Sequence, residues 1–487
     1  MKISEKFKNK KADMTPKFIN KKSLKNGSYS MVISALMIAI VVIVNLAVSH
    51  LPSTYTKFDL SDTKLFTISD ETKNILGNLK DEITIYLIAQ DGSEDKTITE
   101  LLDKYKALSS NISVVYKDPV LYPNFVSGYT SDGLNENSLI VESAKRSKVV
   151  DYSDIFQTTT DYTTYESTTE FDGEGQLTSA IDFVTSDNLP IIYTLEGHNE
   201  QTLSDSLQQE ITKQNITVQS VSLVTSEAVP EDCGCLLIYS PLKDISEEES
   251  TKIADYLNSG GNAFIVSGYT EDELTNFNAL LASYGVSKTA EVVFEADANY
   301  YAMPYNHYLV PEINSHEITS PLISAKEKIL LPYAMGIKQL DTKPDTITIT
   351  SLLSTTDSAY GKLLTQNTAT TEKESGDTEG PFDLSVVITN TIDENTESKI
   401  ILTGSDYLLD DGANKTVSGG NHDFIINALG YLCEHESSIS IHSKSIDSQK
   451  LVLTAAQINF WTTIIMILLP LAVVITGIIV WFRRRKK

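Results

Sequence analysis

The sequence has few cysteines and a shortage of basic residues, and it lacks the common nucleotide-binding motifs. Three cysteines in 487 residues exclude a disulfide-stapled scaffold and a zinc module built from many cysteines. Lys and Arg number 39 against 65 Asp and Glu, and the net charge of −26 excludes a body that holds nucleic acid electrostatically. Neither a Walker A motif nor Gly-X-Gly-X-X-Gly occurs, so the chain is not itself a transport ATPase.

What the sequence does have is two long apolar runs. Residues 31–51 (MVISALMIAIVVIVNLAVSHL) and 460–482 (FWTTIIMILLPLAVVITGIIVWF) contain no formally charged side chain. Each run is long enough to cross a hydrocarbon core of about 30 Å as a helix. The two tryptophans, Trp461 and Trp481, bracket the second run as interfacial anchors do. We therefore expect transmembrane helices at 30–51 and 460–482.

Charge is distributed unevenly around these runs. Residues 1–50 carry +7 and residues 456–487 carry +5, so that the long middle of the chain carries −38. Because basic flanks stay in the cytoplasm, the tails 1–29 and 483–487 are predicted to be cytoplasmic and the acidic middle to lie outside the plasma membrane. The alternatives are a cleaved signal peptide for the first run and a buried core helix for the second.

The first part of the outer body has the pattern of a small α/β unit at 55–150. A strand at 83–89 (ITIYLIA), a helix at 97–109 and a strand at 112–116 follow in that order, which favours a parallel sheet. The arrangement suggests a thioredoxin-like fold, although no Cys-X-X-Cys occurs in it. Residues 151–189, rich in Thr, Tyr and acidic side chains, are expected to form a linker or edge segment.

Strands and helices alternate repeatedly in residues 190–450. A strand at 191–195 (IIYTL) opens the series, a helix at 246–259 begins with a Ser N-cap, and the strand 263–267 (AFIVS) follows it. This alternation predicts a doubly wound parallel sheet. The polar stretch 366–381 (QNTATTEKESGDTEGP) is expected to be a mobile insertion.

The most suggestive polar cluster is Glu196-Gly197-His198-Asn199-Glu200, directly after the 191–195 strand. Ligands bind at the carboxyl ends of strands in open α/β sheets, so Glu196, Gly197, His198 and Glu200 are candidates for ligand or partner binding. A histidine between carboxylates also suits acid–base work or a metal. A helix N-terminus with a turn-forming glycine is the structural alternative.

Neither a catalytic nucleophile nor a cysteine site is strongly indicated. Ser267 follows a central strand, where a nucleophile stands in amidotransferase-like folds, but it lacks a Gly-X-Ser-X-Gly setting and no histidine base is evident. Cys233 and Cys235 could bind metal or form a strained bridge, with Cys433 far along the chain. Thiols packed beside a buried strand are the simpler interpretation, and no metal site or cofactor is predicted.

An ordered set of motifs resembles the GldG-like auxiliary proteins of ABC transport systems, which are associated with bacterial gliding motility. The matching pieces run in the family's order over most of the chain: FDLSDTKLFTISDETKNIL, GQLTSAI at 175–181, YTLEGHNE at 193–200, the 237–269 block, His316-Glu317-Ile318-Thr319, ILTGSDYLLDDG, GGNHDFIINALGYL and the last basic-ended span. The family's loop is of GHGE type, and here Asn199 stands where its second glycine would be.

The resemblance implies an extracytoplasmic α/β body whose middle part is amidotransferase-like without enzymatic activity. It also implies partnership with a separate ABC ATPase and permease, and similar domains have been suggested to bind carbohydrate. We therefore expect a non-catalytic, membrane-anchored auxiliary subunit whose spans contact the permease and membrane lipid. Its outer body would bind a carbohydrate or another envelope ligand or partner. The alternatives are a cell-envelope hydrolase that uses Glu196, His198 and Glu200, and an envelope scaffold.

Overall fold

The computed structural model describes residues 65 and 67–446, with gaps at 132, 162–165, 364–369, 435–440 and 442, and scattered positions within 36–43 and 464–482. The predicted spans at 30–51 and 460–482 thus lie mostly outside the described residues, as do both basic tails. Within the described part of the chain, no helix is both long enough and apolar enough to cross a membrane. The chain divides into two units, residues 1–64 and 65–487, and the few described residues of the first are helical.

The second unit begins with a four-stranded sheet. Its elements are α1 (Asp70–Gly77), β1 (Ile83–Ile88), α2 (Lys96–Leu108), β2 (Ile112–Lys117), β3 (Ser138–Glu142) and β4 (Ser147–Val150). β1 pairs in parallel with β2 and antiparallel with β3, which gives the order β2-β1-β3-β4. The predicted strand–helix–strand start with a parallel pair is confirmed. A one-turn 3₁₀ helix spans Val126–Gly128.

The expected linker at 151–189 is largely regular structure. It contains α3 (Tyr152–Ile155), the hairpin β5 (Phe156–Asp161) and β6 (Glu166–Phe171), and α4 (Gly173–Thr185). Ten of the thirteen residues of α4 are buried, among them Glu174. The Glu174 carboxylate accepts from Ser69 N–H at 2.7 Å and from Lys444 Nζ at 2.8 Å, and these partners hold its pKa below the ordinary value despite burial. These partners lie 105 and 270 residues away, which is why local composition suggested only a loop.

Twelve strands of the described chain form the larger sheet. Its parallel part uses β7 (Ile191–Leu195), β8 (Thr217–Val221), β9 (Cys233–Tyr239), β10 (Ala263–Val266) and β20 (Glu397–Thr403). They lie in the order β8-β7-β9-β10-β20, every neighbouring pair parallel. In chain order this is 2-1-3-4-5, and the crossover direction reverses between β7 and β9. Such a switch point leaves a crevice at the carboxyl ends of the two strands.

Helices cover both faces of the parallel strands, as a doubly wound sheet requires. They are α5 (Asp205–Lys213), α6 (Glu247–Asn258), α7 (Thr275–Ser283), α8 (Ser320–Ala325), α9 (Asp411–Thr416) and α10 (Gly420–Leu432). On one face α5 and α10 bury residues such as Leu207 and Phe424 against the sheet. On the other, α6 and α7 bury residues such as Ile253 and Phe277. Alternate residues of the buried strands therefore enter separate cores.

The rest of the large sheet is antiparallel, which the alternation of strands and helices in the sequence does not predict. It contains β11 (Val286–Phe294), β13 (Glu312–Ile313), β15 (Met335–Gln339), β16 (Ile347–Ser354), β17 (Tyr360–Lys362), β18 (Thr378–Glu379) and β19 (Asp383–Thr391). β19 pairs antiparallel with β20 and so joins the two parts. Three further short strands complete the set: β12 (Tyr308–Leu309) with β14 (Leu331–Pro332), and β21 (Lys444–Ser445) beside β6.

The described part of the predicted mobile insertion, residues 370–381, contains a short strand. β18 pairs with β17, and the nearly buried Lys362 forms ion pairs with Glu374 at 2.7 Å and Asp377 at 3.1 Å. Main-chain pairing and two ion pairs thus connect this polar stretch to β17. Its mobility stays a prediction.

Candidate functional site

The predicted site residues lie at the switch point of the parallel sheet. Residues 196–200, which we call the His198 loop, leave the carboxyl end of β7. Glu196 N–H continues the β7–β8 ladder by bonding Val221 C=O at 3.0 Å. The location agrees with the expectation that the loop stands where ligands bind in open α/β sheets.

Two residues of the His198 loop have left-handed backbone conformations. Gly197 has φ +133°, where side chains other than glycine are strongly disfavoured, and Asn199 has φ +56°. Asparagine tolerates this region better than most residues. Asn199 can therefore take the place of the glycine that the GHGE-type loop led us to expect.

The imidazole of His198 lies between two carboxylates. Its Nδ1 is 2.9 Å from Glu200 Oε1 and its Nε2 is 3.2 Å from Glu249 Oε2. His198 is only 5% exposed. Each ring nitrogen therefore lies within hydrogen-bonding distance of a carboxylate oxygen, and the ring links the two acidic side chains.

Main-chain bonds close the His198 loop over the switch point. Glu200 Oε2 accepts from the N–H groups of Gly197 at 3.0 Å and His198 at 2.7 Å. The His198 carbonyl accepts from the N–H groups of Leu242 and Lys243, each at 3.0 Å. The side-chain polar atoms of His198 and Glu200 are thus all bonded within the protein.

Glu249 belongs to the capping box of α6. The sequence predicts this residue as part of a helix start but does not indicate its contact with His198. Its Oε2 accepts from the N–H of Ser246 at 3.0 Å and from the hydroxyl of the same residue at 2.8 Å. Burial favours the neutral acid, but these bonds and His198 hold the pKa of Glu249 below its ordinary value. Among the described residues its Oε1 has no hydrogen-bond partner.

Three of the four predicted residues therefore come together, and one does not. Gly197, His198 and Glu200 form a bonded cluster, while the Glu196 side chain is exposed. Four of the clefts on the described surface have volumes of 250 to 630 Å³, and residues 196–200 line none of them. No group of His, Cys, Asp and Glu that could hold a metal ion occurs in the described part of the chain. The loop is built to fix the switch point rather than to expose an acid–base pair.

A second polar cluster, which we call the β10 edge, lies at the carboxyl ends of β10 and β20. Lys288 Nζ donates to Ser267 Oγ at 2.7 Å and to the Gly268 carbonyl at 3.0 Å. Gln201 Nε2 donates to Asp406 Oδ2 at 2.7 Å. Sequence reasoning singles out Ser267 but finds no base for it, because Lys288 comes from β11, outside the parallel series. No local signal indicates this contact.

Burial shifts the charged groups of the β10 edge toward their neutral forms. It lowers the pKa of Lys288 from 10.5 to about 8, although the nearby Asp406 opposes the shift. It raises the pKa of Asp406, against the hydrogen bond from Gln201. Unlike His198, which lies between two carboxylates, Lys288 bonds a hydroxyl and a carbonyl, and Asp406 bonds an amide.

Aromatic rings cover the surface next to Asp406. Ring centroids are 5.1 Å apart for Tyr305 and Tyr308, 5.8 Å for Tyr308 and Tyr333, and 5.7 Å for Tyr333 and Tyr407. His307 stands 4.6 Å from Tyr333, and we call these five residues the aromatic surface. Tyr305 is 52% exposed and Tyr407 38%. The buried Nδ1 of His307 has no hydrogen-bond partner in the described chain, and burial lowers the pKa of this ring.

The three cysteines are free thiols, so no disulfide bridge joins Cys233 to Cys235. Cys235 and Cys433 are buried, which raises the pKa of Cys433 to about 12 and that of Cys235 well above its ordinary value. Thiols of this kind are unreactive packing groups. The simpler interpretation is confirmed.

Comparison with protein families gives two matches. The family model described as an ABC-type uncharacterized transport system matches residues 179–428, which is just over half of the chain. A model for a domain of unknown function matches residues 62–157. The first match includes the parallel strands, the His198 loop, the β10 edge and the aromatic surface. The second covers most of the four-stranded sheet unit.

Similar solved structures are distant. The N-terminal domain of mmIFT52 has 15% identity and a TM-score of 0.37, covering 52% of this chain and 99% of that one. A protein from Thermoplasma acidophilum, described as one component of a GMP synthase, has 12% identity and a TM-score of 0.28, covering 51% and 96%. These scores are too low to support a conclusion. No curated protein matches the chain.

Proposed function

This chain belongs to the family described as an ABC-type uncharacterized transport system, and we propose that it is a non-catalytic, membrane-anchored auxiliary subunit of such a system. The match over residues 179–428 carries the proposal, because it includes the whole doubly wound sheet. The absence of a Walker A motif fits a subunit that depends on a separate ATPase. Its role would be to bind a ligand or an envelope partner beside the permease.

Co-purification tests the transport role. The full-length chain, extracted in mild detergent and captured by an affinity tag, should bring down an ABC ATPase and a multi-span permease, identified by mass spectrometry. A matched chain without residues 460–487 should lose the permease if that span makes the contact. Recovery of neither subunit from an intact, membrane-inserted preparation would contradict the proposal and favour the scaffold alternative.

We also propose that residues 30–51 and 460–482 span the plasma membrane, with both tails in the cytoplasm. Two charge-free runs and their basic flanks support this topology. A protease added to intact cells should cut within the body and spare tags at either end. Replacement of Arg483–Arg485 by Glu should disturb that protection, because the basic flank orients the last span.

The finer architecture and the finer family assignment are also proposals. The order β2-β1-β3-β4, with β3 antiparallel to β1, supports a thioredoxin-like unit without the redox cysteines. The five parallel strands covered by helices on both faces support an amidotransferase-like unit. The ordered motifs in the sequence support a GldG-like member of the family, associated with gliding-motility systems.

The ligand of the outer body is proposed to be a carbohydrate, bound on the aromatic surface. Sugar rings have apolar faces that stack on aromatic side chains and hydroxyls that need polar partners. Tyr305 and Tyr407 offer exposed faces, and His307 Nδ1 offers a buried acceptor or donor without a partner in the described chain. Asp406 and Gln201 supply polar groups directly beside Tyr407. The His198 loop lacks this combination.

An oligosaccharide array probed with the full-length protein tests the ligand class. The double substitution Tyr305→Ala and Tyr407→Ala should weaken binding about tenfold or more, because each stacking contact contributes roughly 1 kcal/mol. Tyr122→Ala is a matched control, since Tyr122 is 53% exposed on the loop after β2. Equal loss in both variants, or no binding by the intact protein, would contradict a sugar site on this surface.

A further inference from the structure

Lysine side chains lie over aromatic rings in several places on this body. Lys117 Nζ is 4.8 Å from the ring centroid of Tyr122 and 5.0 Å from that of Phe125. Likewise, Lys399 Nζ is 4.8 Å from the ring centroid of Tyr431. A cation in such a position is attracted by the negative charge of the ring face. At these places the chain supplies both the ring and the cation.

The aromatic surface has the rings without the cation. None of the lysines and arginines in the described part of the chain lies over a ring of this surface. The planes of its rings are inclined, by 65° between Tyr308 and Tyr333 and by 36° between Tyr333 and Tyr407. Inclined rings can contact one small cation from more than one side, as in the aromatic cages that bind ammonium groups.

Carboxylates make the electrostatic potential at these rings negative. Together with burial, the charges of Asp406 and Asp410 raise the pKa of Tyr407. Burial, the neighbouring tyrosines and the charge of Asp410 raise the pKa of Tyr308. Because a nearby anion disfavours the loss of a phenolic proton, these shifts place both rings in the field of acidic side chains. Such a field attracts a positively charged ligand and repels an acidic one.

Asp410 is the carboxylate that an incoming cation meets most directly. The residue is exposed, and its Oδ1 accepts from Ala413 N–H at 2.8 Å, which fixes the carboxylate at the start of α9. Asp406 is less exposed, and burial raises its pKa. Lys288, which lies near Asp406, donates its hydrogen bonds to the residues that follow β10. The charge available to a ligand therefore comes mainly from Asp410.

From these observations we propose that the aromatic surface binds a glycan whose sugar units carry a protonated amine. The inference rests on the carbohydrate site proposed above and names the class of sugar. The amine takes the position over the ring faces that lysine takes at Tyr122 and Tyr431, with Asp410 as its counter-ion. The apolar face of the sugar stacks on a tyrosine. An N-acetylated sugar can also stack, but it brings no cation, and an acidic sugar is repelled.

Two glucosamine tetrasaccharides, one with free amines and one fully N-acetylated, test the proposal. Their affinities for the full-length, detergent-solubilised protein are measured by calorimetry at about pH 6, where an amine keeps its proton. The free-amine form should bind about tenfold more tightly, through cation–π contact and attraction to the carboxylate. Added sodium chloride should reduce this preference, because salt screens exposed charges.

Asp410→Asn should lower the preference for the free-amine form about threefold and leave the affinity for the N-acetylated form unchanged. The variant should fold, because asparagine also caps a helix well. Asp341→Asn is the matched control, since Asp341 is an exposed aspartate on the turn after β15, and it should keep the full preference. Choline, a cation without sugar hydroxyls, should compete poorly with the free-amine tetrasaccharide.

Equal affinity for the two tetrasaccharides, or tighter binding of the N-acetylated one, would overturn the inference and leave the carbohydrate site standing. Binding of neither would overturn both. A full preference in Asp410→Asn would also overturn it, because the amine would then lie elsewhere. Strong competition by choline would indicate a site for ammonium compounds rather than for a glycan. Co-purification of the transport subunits is a separate readout, so none of these outcomes decides the transport role.

Discussion

The His198 loop and the β10 edge lie along the same edge of one sheet, yet they use their polar groups in opposite ways. In the loop, both nitrogens of His198 and both oxygens of Glu200 are bonded within the protein. At the β10 edge, a lysine lies beside a serine with no carboxylate within ion-pairing distance in the described chain, and its pKa is lowered. The hydrogen bonds of the loop thus stabilise the fold at the switch point. The β10 edge instead holds a largely buried amine without a paired carboxylate in the described chain, which has an electrostatic cost.

A polar motif that is conspicuous in a sequence can therefore have a structural role. The residues of Glu-Gly-His-Asn-Glu are adjacent in the chain, so the motif is conspicuous in the sequence. Adjacent polar residues also readily bond one another and stabilise a turn. The β10 edge draws on Gln201, Ser267, Lys288 and Asp406, which lie up to 205 residues apart. Groups gathered from such distances are the ones whose positions depend on the whole fold.

The largest effect is expected from His198→Ala. The substitution leaves Glu200 and Glu249 facing each other without the imidazole between them, and both side chains are only 6% exposed. Loss of one partner from a buried charged cluster costs roughly 2–4 kcal/mol of the free energy of unfolding. Thermal unfolding of the purified protein should show this as a clearly lowered midpoint.

Glu196→Ala is the control for that experiment, because Glu196 is exposed and its change should stay within about 0.5 kcal/mol. An unchanged midpoint for His198→Ala would remove the argument that the loop is structural. If the variant instead folded normally and lost a measured hydrolytic activity, the envelope-hydrolase alternative would take precedence. The His198 loop, and not the β10 edge, would then be the functional region.

Alanine substitution of one glycine in each region should destabilise the protein for a different physical reason in each case. Gly268→Ala brings a Cβ to 2.5 Å from Asp406 Oδ1, a clash through space, and should cost about 2 kcal/mol. Gly197→Ala meets nothing closer than 3.4 Å, but its φ of +133° strains any other residue, at a similar cost of about 1–3 kcal/mol. Truncation of the side chain next to each glycine distinguishes the steric clash from the backbone strain.

Asp406→Ala should therefore rescue Gly268→Ala, because the clashing carboxylate is gone, whereas Val224→Ala should not rescue Gly197→Ala. Double-mutant cycles on unfolding midpoints measure both couplings. A coupling near zero at Gly268 would mean that Asp406 moves aside freely, and the β10 edge would then be looser than the structure indicates.

Much of the fold was predictable because its signals are local. Alternating apolar strands and the Ser246 cap mark elements within the parallel part, and α6 indeed spans Glu247–Asn258 with a complete capping box. The antiparallel extension and α4 were not predictable in this way. Glu174 lies in a buried helix because Ser69 and Lys444 bond it, and no window of neighbouring residues contains that information.

The site divides along the same line. Placement of His198 at a strand end followed from the pattern, but its partner Glu249 comes from another helix, and only the fold shows that the histidine is enclosed. The pairing of Ser267 with Lys288 joins a parallel strand to an antiparallel one. Because the antiparallel extension has no local signal, no sequence pattern could bring a base to that serine.

The smallest expected effect is a stabilisation, by substitution of Lys288. Lys288→Met should raise the free energy of unfolding at pH 7 by about 1 kcal/mol, because it removes a buried cation that the native state holds at a cost. Since His198→Ala should destabilise the protein, the two substitutions should move the unfolding midpoint in opposite directions. A lowered midpoint for Lys288→Met would make the lysine a structural support and weaken the contrast between the regions.

The pH dependence of this difference follows from the direction of the shift. Below pH 8 the lysine is charged in both the folded and the unfolded chain, and the native state bears the full cost. Between pH 8 and the ordinary value of 10.5 the folded chain has released the proton while the unfolded chain still binds it, so the wild type gains stability as pH rises. The advantage of Lys288→Met should shrink across that interval, in unfolding midpoints measured at matched ionic strength. A gap that stayed constant from pH 7 to 10.5 would show that the amine has its ordinary pKa in the folded protein, and the cost assigned to its burial would then be absent.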